Sequence, residues 1–465
     1  MTSENSPSRI KSESDGIFPR PPWRGSLSML SIAFVGAGVL LAVVNSSWPV
    51  TRNALDYAKS AHELIASHFN VYSVVHNPKW TGGKPVLFSI VASAFAWFLT
   101  SNAAVIIASA IGTVFFLYTV ALALPRIRNR CDTGPGHCTL AFFFTAFNPL
   151  VMYQFWSGYP DSLFAGFVLL AFVLVDSIAT EPERNTGRRL AGLVCIISAA
   201  IYTKLYGAVL LFMCPLYFIA LGSQGTAGGG RFRWAFVWLC TALSVPAAVA
   251  VSAALGINPF LILDPQSGVT DFPATYESAI ENAKNSVVFI AFATVLSFQF
   301  AILFLSSRNA WRVRGAAAVV FGVIYVCGLV PHFGMSFNMR FLLPIYPIIA
   351  SMLAMGAHSF SATVRNSIIA IYATVAVIST ASFNVAWVEA RVQPLIDALT
   401  EREPLLSLWL DNLRLPTQIA IKKQIDAINT AVPDGSVLYW SSDYYDRATH
   451  DLAHDLGVKK ELKVR

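Results

Sequence analysis

Five charged side chains beside long apolar runs are the residues best suited to chemistry: Asp56, Lys84, Asp161, Lys204 and Arg340. A carboxylate can take a proton from a hydroxyl group as a general base. Lysine and arginine bind anions such as phosphate, and the arginine guanidinium can do so through two parallel hydrogen bonds. Because charges at membrane depth are costly, they mark functional sites more often than chance would. These residue types therefore indicate proton abstraction next to a bound anion.

The first long polar loop, residues 45–88, carries the first of these carboxylates. The spacing of its apolar residues predicts an amphipathic helix over 52–68, with Tyr57 in the apolar stripe and with Asp56 and Glu63 on a polar face. Asp56 is a candidate base on this helix, and Tyr57 and Glu63 are further candidate site residues. The alternative role of Asp56 is an ion pair with the arginine four residues earlier, a surface contact of small value.

The same loop ends in Gly82-Gly83-Lys84-Pro85. The two glycines permit a tight turn, and the proline suits the first position of the following helix. Lys84 is therefore predicted at the membrane surface beside an electropositive helix N-terminus, which favours an anion such as a lipid phosphate. The alternative is a lysine that only contacts lipid headgroups.

A second group of polar residues follows later in the chain. The segment WSGYPDS at 156–162 predicts a tight turn, in which Tyr159 precedes Asp161 at the start of the next helix. A carboxylate there can simply cap the helix, or it can act as the base. Lys204 interrupts an apolar stretch, and a pairing with Asp161 or with a phosphate would explain it. Arg340 immediately precedes another apolar run and suits a phosphate contact.

Composition assigns the chain to the integral membrane proteins. Of its 465 residues, 55% are hydrophobic and 13% are charged, whereas a soluble domain would carry roughly a quarter charged residues. Since roughly 20 helical residues cross a bilayer core, the sequence predicts an all-α polytopic fold with about 11 transmembrane helices. The shorter apolar run at 86–98 is interpreted as re-entrant or interfacial. The predicted spans are 27–45, 103–124, 138–156, 162–179, 190–203, 206–222, 234–255, 286–306, 315–331, 341–357 and 366–385.

Arginine-rich loops alternate with loops that hold single basic residues, which fixes the orientation by the positive-inside rule. The basic loops contain Arg126, Arg128 and Arg130; Arg184, Arg188 and Arg189; Arg231 and Arg233; Arg308, Arg312 and Arg314; and Arg365. This alternation predicts a cytosolic N-terminus and a periplasmic C-terminus, as expected for a bacterial inner membrane. The candidate site residues then share the outer side.

Three regions follow from this topology. Residues 1–24 are predicted to be a disordered cytosolic tail, and residues 25–385 a transmembrane catalytic domain with its outer loop at 46–88. Residues 386–465 are predicted to form a small extracytoplasmic α/β domain, in which 437–440 has the composition of a short strand.

Several classes of function are not supported by the sequence. The net charge of +7 comes from scattered cytosolic arginines, so nucleic-acid binding is not expected. The six cysteines lie in predicted spans or in a reducing compartment, which argues against disulfides. Cys131, His137 and Cys138 make only a weak metal motif. No cofactor motif or nucleotide loop is present; a divalent metal ion stays open, but no ligand set supports it.

The order of these outer-side motifs resembles the GT-C superfamily of membrane glycosyltransferases. These include the protein O-mannosyltransferases and the lipid A aminoarabinose and galacturonic acid transferases. The resemblance rests on the Tyr57-Ala58 helix, Lys84-Pro85, Tyr159-Pro160-Asp161, Thr203-Lys204 and the segment RFLLP at 340–344, and it covers nearly the whole chain.

The sequence departs from the family pattern at one point. In the family, an acidic residue often opens the first outer helix three positions before the Tyr-Ala pair; here that position is Asn53 or Ala54. Asp56 stands where the family often has arginine, so the base stays open between Asp56 and Asp161.

The resemblance implies an inverting transfer of a hexose or pentose from a polyprenyl-phosphate donor to a lipid, glycan or protein acceptor on the outer face. Such a transfer needs one base and positive charge at the departing phosphate. Lys84, Lys204 and Arg340 are the candidate phosphate ligands, and membrane lipids are the expected surroundings. A transporter or flippase of lipid-linked saccharides, or a polymerase, is the alternative; a transporter would be expected to show inverted repeats, which the sequence lacks.

Overall fold

The computed structural model describes residues 26–46, 52–71, 74, 85–131, 136–180, 186–223, 230–254, 339–384, 426–433, 436–440 and 461–464. This part of the chain is mainly helical. In chain order the α-helices are α1 (Ser26–Asn45), α2 (Arg52–Ala66), α3 (Leu87–Ala96), α4 (Ser101–Cys131), α5 (His137–Ala146), α6 (Pro149–Gln154), α7 (Asp161–Thr180), α8 (Thr186–Thr203), α9 (Leu210–Ser223), α10 (Gly230–Ala254), α11 (Tyr346–His358) and α12 (Ala362–Asn384). Two 3₁₀ helices cover Leu205–Val209 and Met339–Ile345.

Three of the described helices are long and apolar enough to cross a membrane: Leu27–Asn45, Ser101–Ile127 and Asp161–Thr180. Shorter apolar helices accompany them, which fits an integral membrane protein. The helix count of about 11 stays a prediction, because the spans proposed at 286–306 and 315–331 lie outside the described residues.

The predicted span at 138–156 is wrong in one respect, because the structure divides it into α5 and α6. Pro149 begins α6, and a residue before proline is driven out of the helical region. Asn148 is accordingly extended, with φ −78° and ψ 126°, and its Oδ1 accepts a hydrogen bond from the Leu150 N–H at 2.7 Å. The Asn-Pro pair therefore bends the chain just before the turn that leads to Asp161.

Helices α4 and α7 form the most extensive helix pair of the described structure. The two helices approach closely at Gly112, where an added Cβ would lie 3.0 Å from Leu163 and 3.2 Å from Ser162 Oγ. Small residues allow this kind of close contact between membrane helices. The pair thus fixes the first turn of α7 against the middle of α4.

Helix α2 lies within the helical bundle, packed on α3 and α4. Tyr57 is buried and its ring meets Phe88 edge to face, with the ring centroids 5.3 Å apart. Lys59 and Ser60 are buried as well. The predicted apolar stripe is therefore confirmed, whereas the opposite face is more enclosed than a surface helix would be.

Two short strands lie near the C-terminus, β1 (Val437–Trp440) and β2 (Glu461–Val464). They pair in parallel, with Val437 opposite Glu461 and Trp440 opposite Val464. The strand predicted at 437–440 is confirmed, and the C-terminal domain as a whole stays a prediction.

Candidate active site

The structure brings together three charged residues that are far apart in the sequence. Asp161 forms an ion pair with Lys204 through Oδ1 and lies 3.5 Å, through Oδ2, from Arg340 Nε. Only 2% of the Asp161 side chain is exposed, against 12% for Lys204 and 13% for Arg340. One carboxylate thus meets two cations in a nearly dry setting, where electrostatic interactions are far stronger than in water.

The position of Asp161 follows from the turn that precedes α7. Gly158 has φ 71°, a left-handed conformation that glycine adopts without steric cost. Pro160 then leads into the helix, and its carbonyl oxygen accepts from the Phe164 N–H at 2.9 Å. Asp161 is therefore the first residue of α7, where the helix dipole favours a negative charge.

A break between two helices presents Lys204. The residue is extended, with φ −154° and ψ 139°, between α8 and the 3₁₀ turn at Leu205–Val209. Its N–H still donates to the Ala200 carbonyl at 2.9 Å, and its own carbonyl accepts from the Gly207 N–H at 2.8 Å. The predicted spans 190–203 and 206–222 meet at this lysine, and the structure shows a break there.

Gly207 makes the tight return possible. A Cβ at this position would lie 2.4 Å from backbone atoms of Ala200 and Ile201.

We expect Gly207→Ala to lower the free energy of unfolding by about 1–3 kcal/mol, as overpacking does, and to displace Lys204. Thermal unfolding in detergent measures the effect. Gly187→Ala, whose Cβ would meet nothing within 4 Å, is the matched control; equal melting temperatures of the two variants would contradict the prediction.

Arg340 is placed by the 3₁₀ helix Met339–Ile345, which packs against α7. Its guanidinium carbon lies 3.9 Å from the centroid of the Tyr159 ring, a cation–π contact. Burial by itself would lower the pKa of Arg340, but the negative charge of Asp161 opposes that and raises the pKa above its usual value. The guanidinium is therefore a permanent positive charge in the cluster.

A hydroxyl network ties the turn before Asp161 to α4. Ser109 Oγ lies 2.5 Å from the Gln154 carbonyl oxygen, 3.1 Å from that of Tyr159 and 3.2 Å from Ser157 Oγ. Four residues along α4, Thr113 Oγ1 donates to Ser162 Oγ at 3.0 Å. The network fixes the backbone on both sides of Asp161.

We expect Ser109→Ala to reduce the kcat of the reaction at this site about tenfold with little change in KM. The variant should displace the Asp161 carboxylate, and small displacements of a reacting group lower the rate. Ser177→Ala is the control, since the Ser177 hydroxyl donates to the Val173 carbonyl of its own helix. Steady-state kinetics of both variants separate positioning from general stability. A rise in KM at unchanged kcat would contradict a positioning role for Ser109.

The other candidates lie on α2 or outside the described residues. Asp56 is half-buried on α2, where Ser60 Oγ donates to its backbone carbonyl at 2.8 Å. Glu63 is partly buried on the same helix, and the buried Tyr57 serves the packing of α2 on α3. Lys84 lies outside the described residues, so its contact with a lipid phosphate stays a prediction.

A second buried ion pair lies at the other end of α7. Arg126 Nη1 is 3.1 Å from Asp176 Oδ2, and the Tyr217 hydroxyl donates to Asp176 Oδ1 at 3.3 Å. Arg189 Nη1 donates to the neighbouring Ser177 carbonyl at 2.9 Å. Within the described residues no group of three or more His, Cys, Asp or Glu side chains is arranged to hold a metal ion, and buried His137 bonds to Ser351 instead.

Sequence reasoning missed Ser109, Tyr153 and the pair Arg126–Asp176. Tyr153 is buried on α6, a helix that contacts both α7 and the 3₁₀ helix of Arg340. Hydroxyl residues within an apolar helix carry no distinguishing signal. Asp176, by contrast, is an ionisable residue within a predicted span. Such residues are rare and often functional, so the sequence carried a signal for it.

Comparison with known proteins decides the fold. No protein-family model matches the chain, and no curated protein sequence does. Crystal structures of ArnT from Cupriavidus metallidurans do match. The apo form aligns with a TM-score of 0.54 at 14% identity, over 95% of this chain and 86% of ArnT. The form bound to undecaprenyl phosphate aligns at 0.52 and 12% identity, over the same 95% and 86%. The chain has the GT-C fold.

A further GT-C structure gives a weaker match. AglB, an oligosaccharyltransferase from Archaeoglobus fulgidus solved with an inhibitory peptide and a dolichol-phosphate, aligns at a TM-score of 0.44 and 12% identity, over 93% of this chain and 60% of AglB. The ArnT alignments confirm the GT-C fold that the order of the outer-side motifs predicted. At these identities the likeness concerns the fold, so the roles of Asp161, Lys204 and Arg340 have to be argued from their own geometry.

Proposed function

We propose that this GT-C protein is a glycosyltransferase that moves a sugar from a polyprenyl-phosphate donor to a hydroxyl group of a lipid, glycan or protein acceptor on the outer face of the membrane. The observation that carries the proposal is the convergence of Asp161, Lys204 and Arg340 at the start of α7. A base and two phosphate ligands are the functional groups that this transfer requires. The ArnT crystal structure with undecaprenyl phosphate, on the same fold, supports the donor class.

The reaction assigns a role to each of the three side chains. The acceptor oxygen attacks the anomeric carbon as Asp161 takes the hydroxyl proton. The bond between the anomeric carbon and the phosphate oxygen breaks, and its electron pair stays with the polyprenyl phosphate. Lys204 and Arg340 stabilise the charge that develops on that phosphate. Direct displacement inverts the anomeric configuration.

We assign the base to Asp161 rather than Asp56. Asp161 stands beside both cations, so a phosphate bound to them brings the anomeric carbon near this carboxylate. Asp56 lies on α2 and is off the family register. Lys84, at the end of the first outer loop, is proposed as a further phosphate ligand.

Purified protein in proteoliposomes tests the proposal. It is incubated with a panel of radiolabelled polyprenyl-phosphate hexoses and pentoses and with membrane lipid and glycan acceptors, and labelled product is separated by thin-layer chromatography. We expect transfer from at least one lipid-linked donor and inversion at the anomeric carbon by NMR. Nucleotide sugars serve as control donors and should give no product, since the sequence carries no nucleotide motif.

Two outcomes would overturn the proposed function. One is transfer from nucleotide sugars with none from lipid-linked sugars. The other is movement of an intact lipid-linked sugar across the bilayer without transfer, which would indicate a flippase.

A further inference from the structure

The charges of the cluster change their balance during the reaction. The side chains of Lys204, Arg340 and Asp161, taken together, carry one net positive charge. The donor is a phosphodiester with a single negative charge, so the donor complex of these four groups is neutral. The polyprenyl phosphate that leaves is a monoester, which carries about −1.5 to −2 charges at neutral pH.

The proton taken from the acceptor closes this balance. When Asp161 receives it, the carboxyl becomes neutral while the phosphate gains one negative charge. The four groups together remain close to neutral, but the negative charge that faces Lys204 and Arg340 has moved from the carboxylate to the phosphate. If both cations stayed on Asp161, they would oppose this shift of negative charge to the phosphate. Cations that move to the phosphate would stabilise it.

We propose that Lys204 and Arg340 exchange their ion-pair partner when the donor binds, from the Asp161 carboxylate to the donor phosphate. The carboxylate is thereby released to act as the base. This inference rests on the proposed function and concerns the regulation of the same site. Asp161 Oδ1 accepts from the Lys204 ammonium group and Oδ2 faces the Arg340 guanidinium, so an acceptor hydroxyl would have to compete with two cations for this carboxylate. Transfer of the cations to the phosphate frees those oxygens at the moment when a sugar is in place.

The surroundings of the three residues suit such an exchange. Asp161 is held at the start of α7 because Ser109 donates to the Tyr159 carbonyl before it and Thr113 donates to the Ser162 hydroxyl after it. Lys204 stands on a break between helices, and its flexible four-carbon side chain can redirect its ammonium group. The Arg340 Nε to Asp161 Oδ2 distance of 3.5 Å is long for a charge-assisted hydrogen bond.

If the two cations exchange partners, removal of the Asp161 carboxylate should strengthen phosphate binding. If Asp161 instead holds the cations in place for the phosphate, its removal should not strengthen binding. In Asp161→Asn the carboxylate no longer competes for the cations, and the neutral amide resembles the protonated carboxyl of the product state. We expect this variant to bind undecaprenyl phosphate about tenfold more tightly than the wild type, because like charges placed together at a binding site are costly. Titration with undecaprenyl phosphate in nanodiscs gives the Kd, and polyprenol without phosphate is the ligand control.

Asp176→Asn is the matched protein control, since it removes a carboxylate from the other buried ion pair of α7. Its affinity for undecaprenyl phosphate should equal that of the wild type. Unchanged or weaker binding by Asp161→Asn would overturn the exchange, because Asp161 would then hold the cations in place for the phosphate. A wild type that binds no polyprenyl phosphate at all would instead overturn the proposed function.

A second variant tests the exchange even if Asp161→Asn folds poorly. Asn and Ser both suit a helix N-terminus, so Asp161→Ser is the second variant. Thermal unfolding with and without undecaprenyl phosphate reports binding even for a destabilised variant, because a ligand of the native state raises its melting temperature. The increase should be larger in either variant than in the wild type; an equal or smaller increase in both would contradict the exchange.

Discussion

Asp161→Asn should lower the rate of sugar transfer by about 10²–10⁴-fold, the range that a general base contributes. The amide keeps the size of the carboxylate and its preference for a helix N-terminus, so the start of α7 should persist. What it cannot do is accept the proton of the acceptor hydroxyl. Single-turnover transfer from a radiolabelled polyprenyl-phosphate sugar, with the enzyme in excess, measures the chemical step directly.

The controls for this variant are other carboxylates of the chain. Asp176→Asn breaks a buried ion pair with Arg126, so it should lose stability but keep the rate per folded molecule. Asp56→Asn tests the competing base on α2 and is expected to retain most of the transfer activity. If Asp56→Asn were inactive while Asp161→Asn transferred sugar normally, the base would belong to α2.

Arg340→Gln is expected to reduce kcat/KM by about 10²–10³-fold, the loss found when one preorganised charge-stabilising donor is removed from an active site. The guanidinium meets both Asp161 and the Tyr159 ring, so this change also leaves the carboxylate with Lys204 alone. Arg340→Lys keeps the charge but not the planar fork, and it should recover part of the activity. Initial rates over a range of donor concentrations give kcat/KM for each variant.

Two further variants show whether the effect belongs to the site. Tyr159→Phe keeps the ring beneath Arg340 and should remain within a few-fold of wild type, whereas Tyr159→Leu loses the cation–π contact, worth about 0.5–2 kcal/mol. Arg126→Gln, at the other buried ion pair, should change stability and leave kcat/KM per folded molecule unchanged. An equal loss of kcat/KM in Arg126→Gln and Arg340→Gln would mean that any broken ion pair disables the protein.

Much of the candidate site could be predicted from residue type alone. Asp161, Lys204 and Arg340 are conspicuous because charge within or beside an apolar run is costly, and the positive-inside pattern assigned all three to the outer side. The sequence even suggested Asp161 as a partner for Lys204. The GT-C fold could be predicted from the order of motifs such as Tyr159-Pro160-Asp161, even though none of them is specific.

The remaining contacts depend on how distant segments pack. Arg340 reaches Asp161 across 179 positions of sequence, and no local pattern encodes that approach. The hydroxyl of Ser109 is chemically like those of many buried serines, so its contact with the turn required the α4–α7 pairing. Pro149 predicts a helix boundary at Asn148, but the continuous apolar run through 138–156 favoured a single span.

A cryo-electron microscopy structure of the wild-type protein with undecaprenyl phosphate in nanodiscs tests the proposed site most directly. We expect phosphate density within hydrogen-bonding distance of Lys204 and Arg340, with the Asp161 carboxylate released from both. Phosphate density elsewhere on the outer face, with the Asp161 ion pairs intact, would contradict it.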